Sequence, residues 1–191
     1  LVLAFIPFIG SIVSMLIGPV ILAGYMYGCQ EQDEGGDFSI AHLFAGFSNN
    51  VGQLMLVAVF YFLMMLVVGG VMVGGMFMLM GGAMAFQDPE AMSMLGGGPI
   101  IGFILLVLLL TIPIIMAYLF APALVMLDDL SALEAMKYSF MGCLKNMLPM
   151  FIFGLLAMVL LFIGSIPFGL GLLIVAPMLT AGVYAAYRDI Y

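Results

Sequence analysis

The chain has 191 residues, 66% of them hydrophobic and 7% charged. A soluble domain needs roughly a quarter of its residues charged, so the composition excludes a water-soluble fold and predicts a polytopic membrane protein. With three basic residues against ten acidic ones and a net charge of −7, nucleic-acid binding is excluded as well.

The apolar runs are continuous and lack the ~10-residue alternation of a membrane barrel, so the spans are helical. Residue 1 is a leucine inside an apolar run, and residues 1–6 are expected to end an earlier span. Pro7 suits a first helical turn, where no amide partner is needed, and opens a span running to about Cys29. The acidic segment "QEQDEGGD" (30–37) follows as a loop. Next, "FSIAHLFAGFSNN" (38–50) sets Ile40, Leu43, Phe44 and Phe47 against Ser39, His42, Gly46 and Asn49. That two-faced spacing predicts a short helix lying in the membrane interface. His42 is the single histidine and is expected to be solvated.

Residues 51–82 form a long apolar helix with a glycine-rich second half, and 83–98 form a loop carrying Asp88 and Glu90. Pro99 opens the next span, to about Leu127, with Pro113 and Pro122 inside it. Asp128-Asp129 then introduces "SALEAMKYSFMGCLKN" (131–146), in which Ser131 and Glu134 have capping-box spacing. Leu133, Met136, Phe140, Leu144 and Met147 make its apolar stripe, opposite Glu134, Tyr138, Met141 and Lys145. This is a second interfacial helix. Residues 147–165 span again, and 166–187 return, ending at Arg188.

Lysine and arginine set orientation. Lys137, Lys145 and Arg188 fall on one side, which is read as cytoplasmic, so both termini are cytoplasmic in a bacterial inner membrane. Lys137, Lys145, Tyr187, Arg188 and Tyr191 are the expected interface and lipid contacts, the tyrosines as part of an aromatic belt.

Proline recurs in phase with the spans. Gly18-Pro19, Ala121-Pro122 and Ala176-Pro177 each follow an Ile-Pro pair, at Pro7, Pro113 and Pro167. Pro19, Pro113, Pro122 and Pro177 are predicted helix kinks. An inward span, an acidic turn, a serine-led interfacial helix and an outward span occur at 7–82 and again at 99–165. Both copies run the same way, which makes a parallel repeat within one transmembrane domain, 1–191, closed by the last span 166–187.

The spans hold no Asp, Glu, Lys, Arg or His, which argues against a proton relay or intramembrane hydrolysis. No catalytic residue or cofactor is predicted. Met72, Met76, Met80 and Met84 share a helical face, and thioethers suit Cu(I); the other methionines scatter as flexible packing would place them. Gly24/Gly28 and Gly70/Gly74 make small-residue faces for close helix contact. Cys29 and Cys143 are read as small, reduced hydrophobes.

"HLFAGF" (42–47), "FAPALV" (120–125), "ALEAMKYSF" (132–140), "CLKNMLP" (143–149) and "YRDIY" (187–191) together resemble a family of uncharacterised proteobacterial inner-membrane proteins. Its members have six helices and end in Tyr-Arg-Asp-Ile-Phe/Tyr. It is distantly similar to the membrane domain of some glycerophosphodiester phosphodiesterases. The resemblance implies an all-α, six-span bundle whose first span is truncated here, and it carries over no catalytic residue. The expected function is a non-enzymatic accessory or scaffold subunit, or a module that handles lipid, with membrane lipids and other membrane subunits as partners. A transporter or channel for a neutral or lipidic solute, with proline kinks opening a cavity, is the second reading. Copper handling is the third.

Overall fold

The computed structural model describes residues 2–85, 98–166 and 168–191; for 2–9, 11–13 and 80–85 only the backbone is described. All regular structure among them is helical. The elements are α1 (Val2–Asp33), a 3-10 helix η1 (Ile40–Phe44), α2 (Ala45–Ser48), α3 (Val51–Ala85), α4 (Gly98–Leu119), α5 (Ala121–Leu127), α6 (Ala132–Lys145), α7 (Met147–Ser165) and α8 (Leu172–Ile190). Among the described residues, three stretches are long and apolar enough to cross a membrane. They are Val51–Leu79, Gly98–Leu127 and Met147–Ser165, with mean hydropathies of 2.6, 3.0 and 2.5.

Several expected boundaries shift. α1 runs unbroken through Pro7 to Asp33, so no earlier helix ends at residue 6. The last helix starts at Leu172 rather than 166, because Phe168 and Gly169 adopt left-handed φ values of 52° and 81° and turn the chain. Pro167 lies outside the described residues, as does most of the expected loop 83–98, including Asp88 and Glu90.

The contacts divide the chain into two units, 1–59 with 116–191, and 60–115. In the first, α1 packs against η1, α2, α5 and α8. Its buried stripe is Pro19, Val20, Ala23, Gly24, Met26 and Gly28. The crossing with η1 and α2 is backbone on backbone. A Cβ at Gly46 would collide with the Val20 carbonyl, and one at Gly24 with the Leu43 carbonyl. The expected small-residue face Gly24/Gly28 is therefore used inside the chain, with Gly28 against the Phe38 ring. Ile40, Phe44 and Phe47 point outward.

α6 corrects the sequence reading. It buries Ala132, Ala135, Met136, Ser139, Gly142 and Cys143, while Leu133, Leu144 and Met147 of the expected apolar stripe are exposed. Small residues let helices approach closely, and large apolar side chains lose nothing by facing hydrocarbon.

Pro122 is also not a kink within one helix. It sits in the first turn of α5, after a break at Phe120 that separates α5 from α4. The Phe120 amide donates to Ser139 Oγ at 2.9 Å, and Ser139 Oγ donates to the Met116 carbonyl at 2.6 Å. A continuous helix would join Phe120 N directly to Met116 O, so a side-chain hydroxyl is inserted into the ladder, one of the few causes of a sharp bend. Pro113 and Pro177 lie inside α4 and α8 without ending them, and Pro19 lies inside α1.

The ends of α3 and α6 are tied across the same core. Gln53 Oε1 accepts from the Ala132 amide at 2.9 Å, capping the start of α6. Asn50 Nδ2 donates to the Val125 carbonyl at 3.1 Å and to Asp129 Oδ1 at 2.6 Å. Asn50 and Asp129 both take left-handed φ values, 55° and 54°, which Asn and Asp tolerate better than other side chains.

The second unit contains the later part of α3 and the first part of α4. Gly75 makes room for the Phe103 ring, whereas Gly69, Gly70 and Gly74 face open space. The packing glycine of this segment is thus Gly75 and not the Gly70/Gly74 pair.

Candidate functional site

The tail "YRDIY" lies on α8, where residues 184, 187, 188 and 191 fall on one face by the i, i+3, i+4, i+7 rule. The polar groups on that face reach three other segments of the first unit. Tyr184 donates to Asp33 Oδ2 at 3.2 Å, and Arg188 pairs with the same oxygen. Tyr187 donates to Asp128 Oδ2 at 2.6 Å, and Tyr191 to the Tyr138 carbonyl at 2.6 Å. The ends of α1 and α5 and the middle of α6 are thereby gathered around the end of α8.

The charge placement explains why the arginine is needed. α1 carries Glu31 and Asp33 near its C-terminus and no basic residue in its last turn. A helix C-terminus is the negative pole of the helix dipole and disfavours acids. Arg188 supplies the missing cation from α8. Its hydrogen bond to Asp33, and that carboxylate's charge, raise its pKa above the ordinary value.

Between these groups lies an open cleft of about 320 Å³, lined by Gln30, Asp33, Glu34, Leu127, Tyr184, Tyr187, Arg188 and Tyr191. The tyrosines form a continuous wall: Tyr184 and Tyr187 centroids are 6.3 Å apart, Tyr187 and Tyr191 5.5 Å. Burial pushes the Tyr191 hydroxyl up to about 12, so it remains a hydrogen-bond donor at any ordinary pH.

The other expected site residues scatter. Tyr187, read as a lipid contact, is instead buried and donates its hydroxyl to Asp128 within the protein. Arg188 pairs with Asp33, and Lys137 and Lys145 are exposed on α6. Met72 and Met76 are exposed on α3; the side chains of Met80 and Met84 lie outside the described residues. Among the described residues, no group of three or more His, Cys, Asp or Glu is placed to hold a metal ion. His42 has a role the sequence reading missed. Its Nδ1 accepts from the Ser39 amide at 3.4 Å, closing a cap on η1, and its ring meets Tyr27 edge-on at 5.6 Å. A serine three residues before it was the available signal. The acid partners of the tail had no such signal, being 59 and 155 residues away.

No curated protein and no solved structure matches the chain. Residues 1–187 match a family described as a domain of unknown function, DUF7847, and the chain belongs to that family.

Proposed function

We propose that this chain is a non-enzymatic integral membrane protein that works through helix packing and lipid contact, as an accessory subunit or a lipid-handling module. One observation carries the reading. The three span-length stretches contain no ionisable acid, base or histidine, and much of their surface is large apolar side chains, such as Phe151, Leu156 and Phe162 on α7. A helix that is apolar all round belongs in lipid or in a core. Among the described residues, no buried side-chain nitrogen or oxygen lacks a hydrogen-bond partner, so the polar groups inside the protein are spent on holding helices together.

The finer reading follows from charge and resemblance. Lys137, Lys145 and Arg188 set a cytoplasmic side, in a bacterial inner membrane of proteobacterial type. The distant phosphodiesterase similarity fits an accessory membrane domain. The halves 7–82 and 99–165 are read as parallel repeats, supported by the Ser39/His42 and Ser131/Glu134 caps and by glycines four residues before Asn50 and Asn146.

Alkaline carbonate extraction followed by native mass spectrometry from gentle detergent tests this. The chain should stay in the membrane pellet and fly with bound lipid or with partner subunits. Release by carbonate, or a bare monomer with neither lipid nor partner, overturns it.

A further inference from the structure

We propose that the cleft between the ends of α1, α5 and α8 binds an organic ammonium group, carried on a phospholipid headgroup or free in solution. The inference rests on the membrane reading only for the lipid-borne source.

Shape comes first. A cleft of about 320 Å³ lies at the lower end of the ~300–1,000 Å³ range of small-ligand sites, and an ethanolamine or choline group fits it easily. Leu127, in its lining, is also the last residue of a span-length apolar stretch. The end of such a stretch is the depth at which lipid headgroups lie.

Charge selects the sign of the ligand. The lining carries two acids, Asp33 and Glu34, against one base, Arg188. Arg188 is committed to Asp33, which leaves Glu34 as the uncompensated charge of the lining. An anion would meet that carboxylate; a cation would be held by it.

The aromatic wall selects the chemistry. Ammonium groups are attracted to aromatic faces within ~6 Å, and tyrosine cages are a recurrent way to hold them. Tyr184, Tyr187 and Tyr191 are fixed by hydroxyl bonds to Asp33, Asp128 and the Tyr138 carbonyl. The rings are thus held in place before any ligand arrives, and little ordering cost remains to be met on binding.

The test uses the full chain in nanodiscs of phosphatidylglycerol, alone or mixed equally with phosphatidylethanolamine. Retained lipid is read by native mass spectrometry, and choline and ethanolamine binding by calorimetry in the phosphatidylglycerol discs. Phosphatidylethanolamine retained about 5-fold over its bulk share, an enrichment of ~1 kcal/mol, assigns a lipid-borne amine. Choline or ethanolamine binding without that enrichment assigns a free one. Either supports the proposal, provided Glu34→Gln weakens it about 3-fold, the scale of one partly exposed charge, and Asp189→Asn, outside the cleft, does not. Glu34→Lys should abolish it. Equal retention of both lipids with no amine binding overturns the proposal, as does an equal loss in Glu34→Gln and Asp189→Asn. If carbonate releases the chain, the membrane reading fails, and the choline arm still decides the cleft.

Discussion

Ser139 stands between Phe120 and Met116, taking the amide of one and giving its hydroxyl to the carbonyl of the other. It replaces the helical bond that the break before Pro122 removes, and it does so from a different helix. The bend between α4 and α5 is therefore a property of two elements and not of the proline alone. Without Ser139 the Phe120 amide would be an unsatisfied buried group, and the Met116 carbonyl would keep only the weak Cys143 thiol bond at 3.6 Å.

Ser139→Ala should leave the Phe120 amide orphaned at a fully buried site. The expected loss is about 1–3 kcal/mol, read as a lowered unfolding midpoint in detergent. Ser139→Cys, which keeps a weak donor and acceptor, should lose less. An unchanged midpoint for the alanine variant would remove the role assigned to this hydroxyl.

The backbone crossing of α1 with α2 predicts a contrast between glycines. Gly46→Ala forces a methyl onto the Val20 carbonyl and should destabilise by about 1–3 kcal/mol, the scale of overpacking. Gly70→Ala meets open space and should be neutral or stabilising by up to about 1 kcal/mol through helix propensity. Thermal unfolding of the two variants side by side checks the order.

The tail bonds should be unequal. Tyr187 is buried and donates to a carboxylate, so Tyr187→Phe should cost about 1.5–3 kcal/mol. Arg188 and Asp33 are 60% and 40% exposed, and solvent screens such pairs to about 1 kcal/mol or less. Arg188→Met should therefore be the milder change in the same unfolding assay. The reverse order would show that the ion pair, and not the buried phenol, holds α8 in place.

Glu134 gives a pH prediction. Its bonds from the Ser131 hydroxyl and amide lower its pKa below the ordinary carboxylate value. A depressed folded pKa means the contribution is complete above the unfolded value, about 4.3, and is lost as pH falls through the lower folded one. Unfolding midpoints between pH 6 and 3 should fall less steeply for Glu134→Gln than for the parent chain.

Cys143 is buried against the Met116 carbonyl, and burial pushes its thiol up to about 11. Thiolate is the reactive form, so at pH 7.5 a maleimide should leave Cys143 unmodified until the protein unfolds. Rapid labelling of the folded protein would contradict the packing of α6 described above.

The class of the molecule was legible because composition answers that question alone. Few charges and long apolar runs leave no fold but membrane-spanning helices, and the span-length stretches fall within a few residues of where apolar runs meet glycine, proline or acid. The cap at Ser131 with Glu134 was also legible, because capping is local chemistry. The buried face of α6 was not. In water the largest apolar residues go inside, but beside lipid that rule no longer sorts faces, and the small residues Ala135, Ser139 and Gly142 went in instead.

What only the tertiary structure decided is what the polar residues of the helix ends do. Asp33, Asp128 and the Tyr138 carbonyl are far from the tail in sequence, and nothing local marks them as partners of Arg188, Tyr187 and Tyr191. Periodicity places those tail residues on one face of α8. It says nothing of which helix that face meets, since a hydrogen bond between distant segments depends on how the helices pack. The sequence by itself determined a helical membrane protein with an uncharged interior; the packing of α1, α5, α6 and α8 turned a loop of acids and a tail of tyrosines into one cleft.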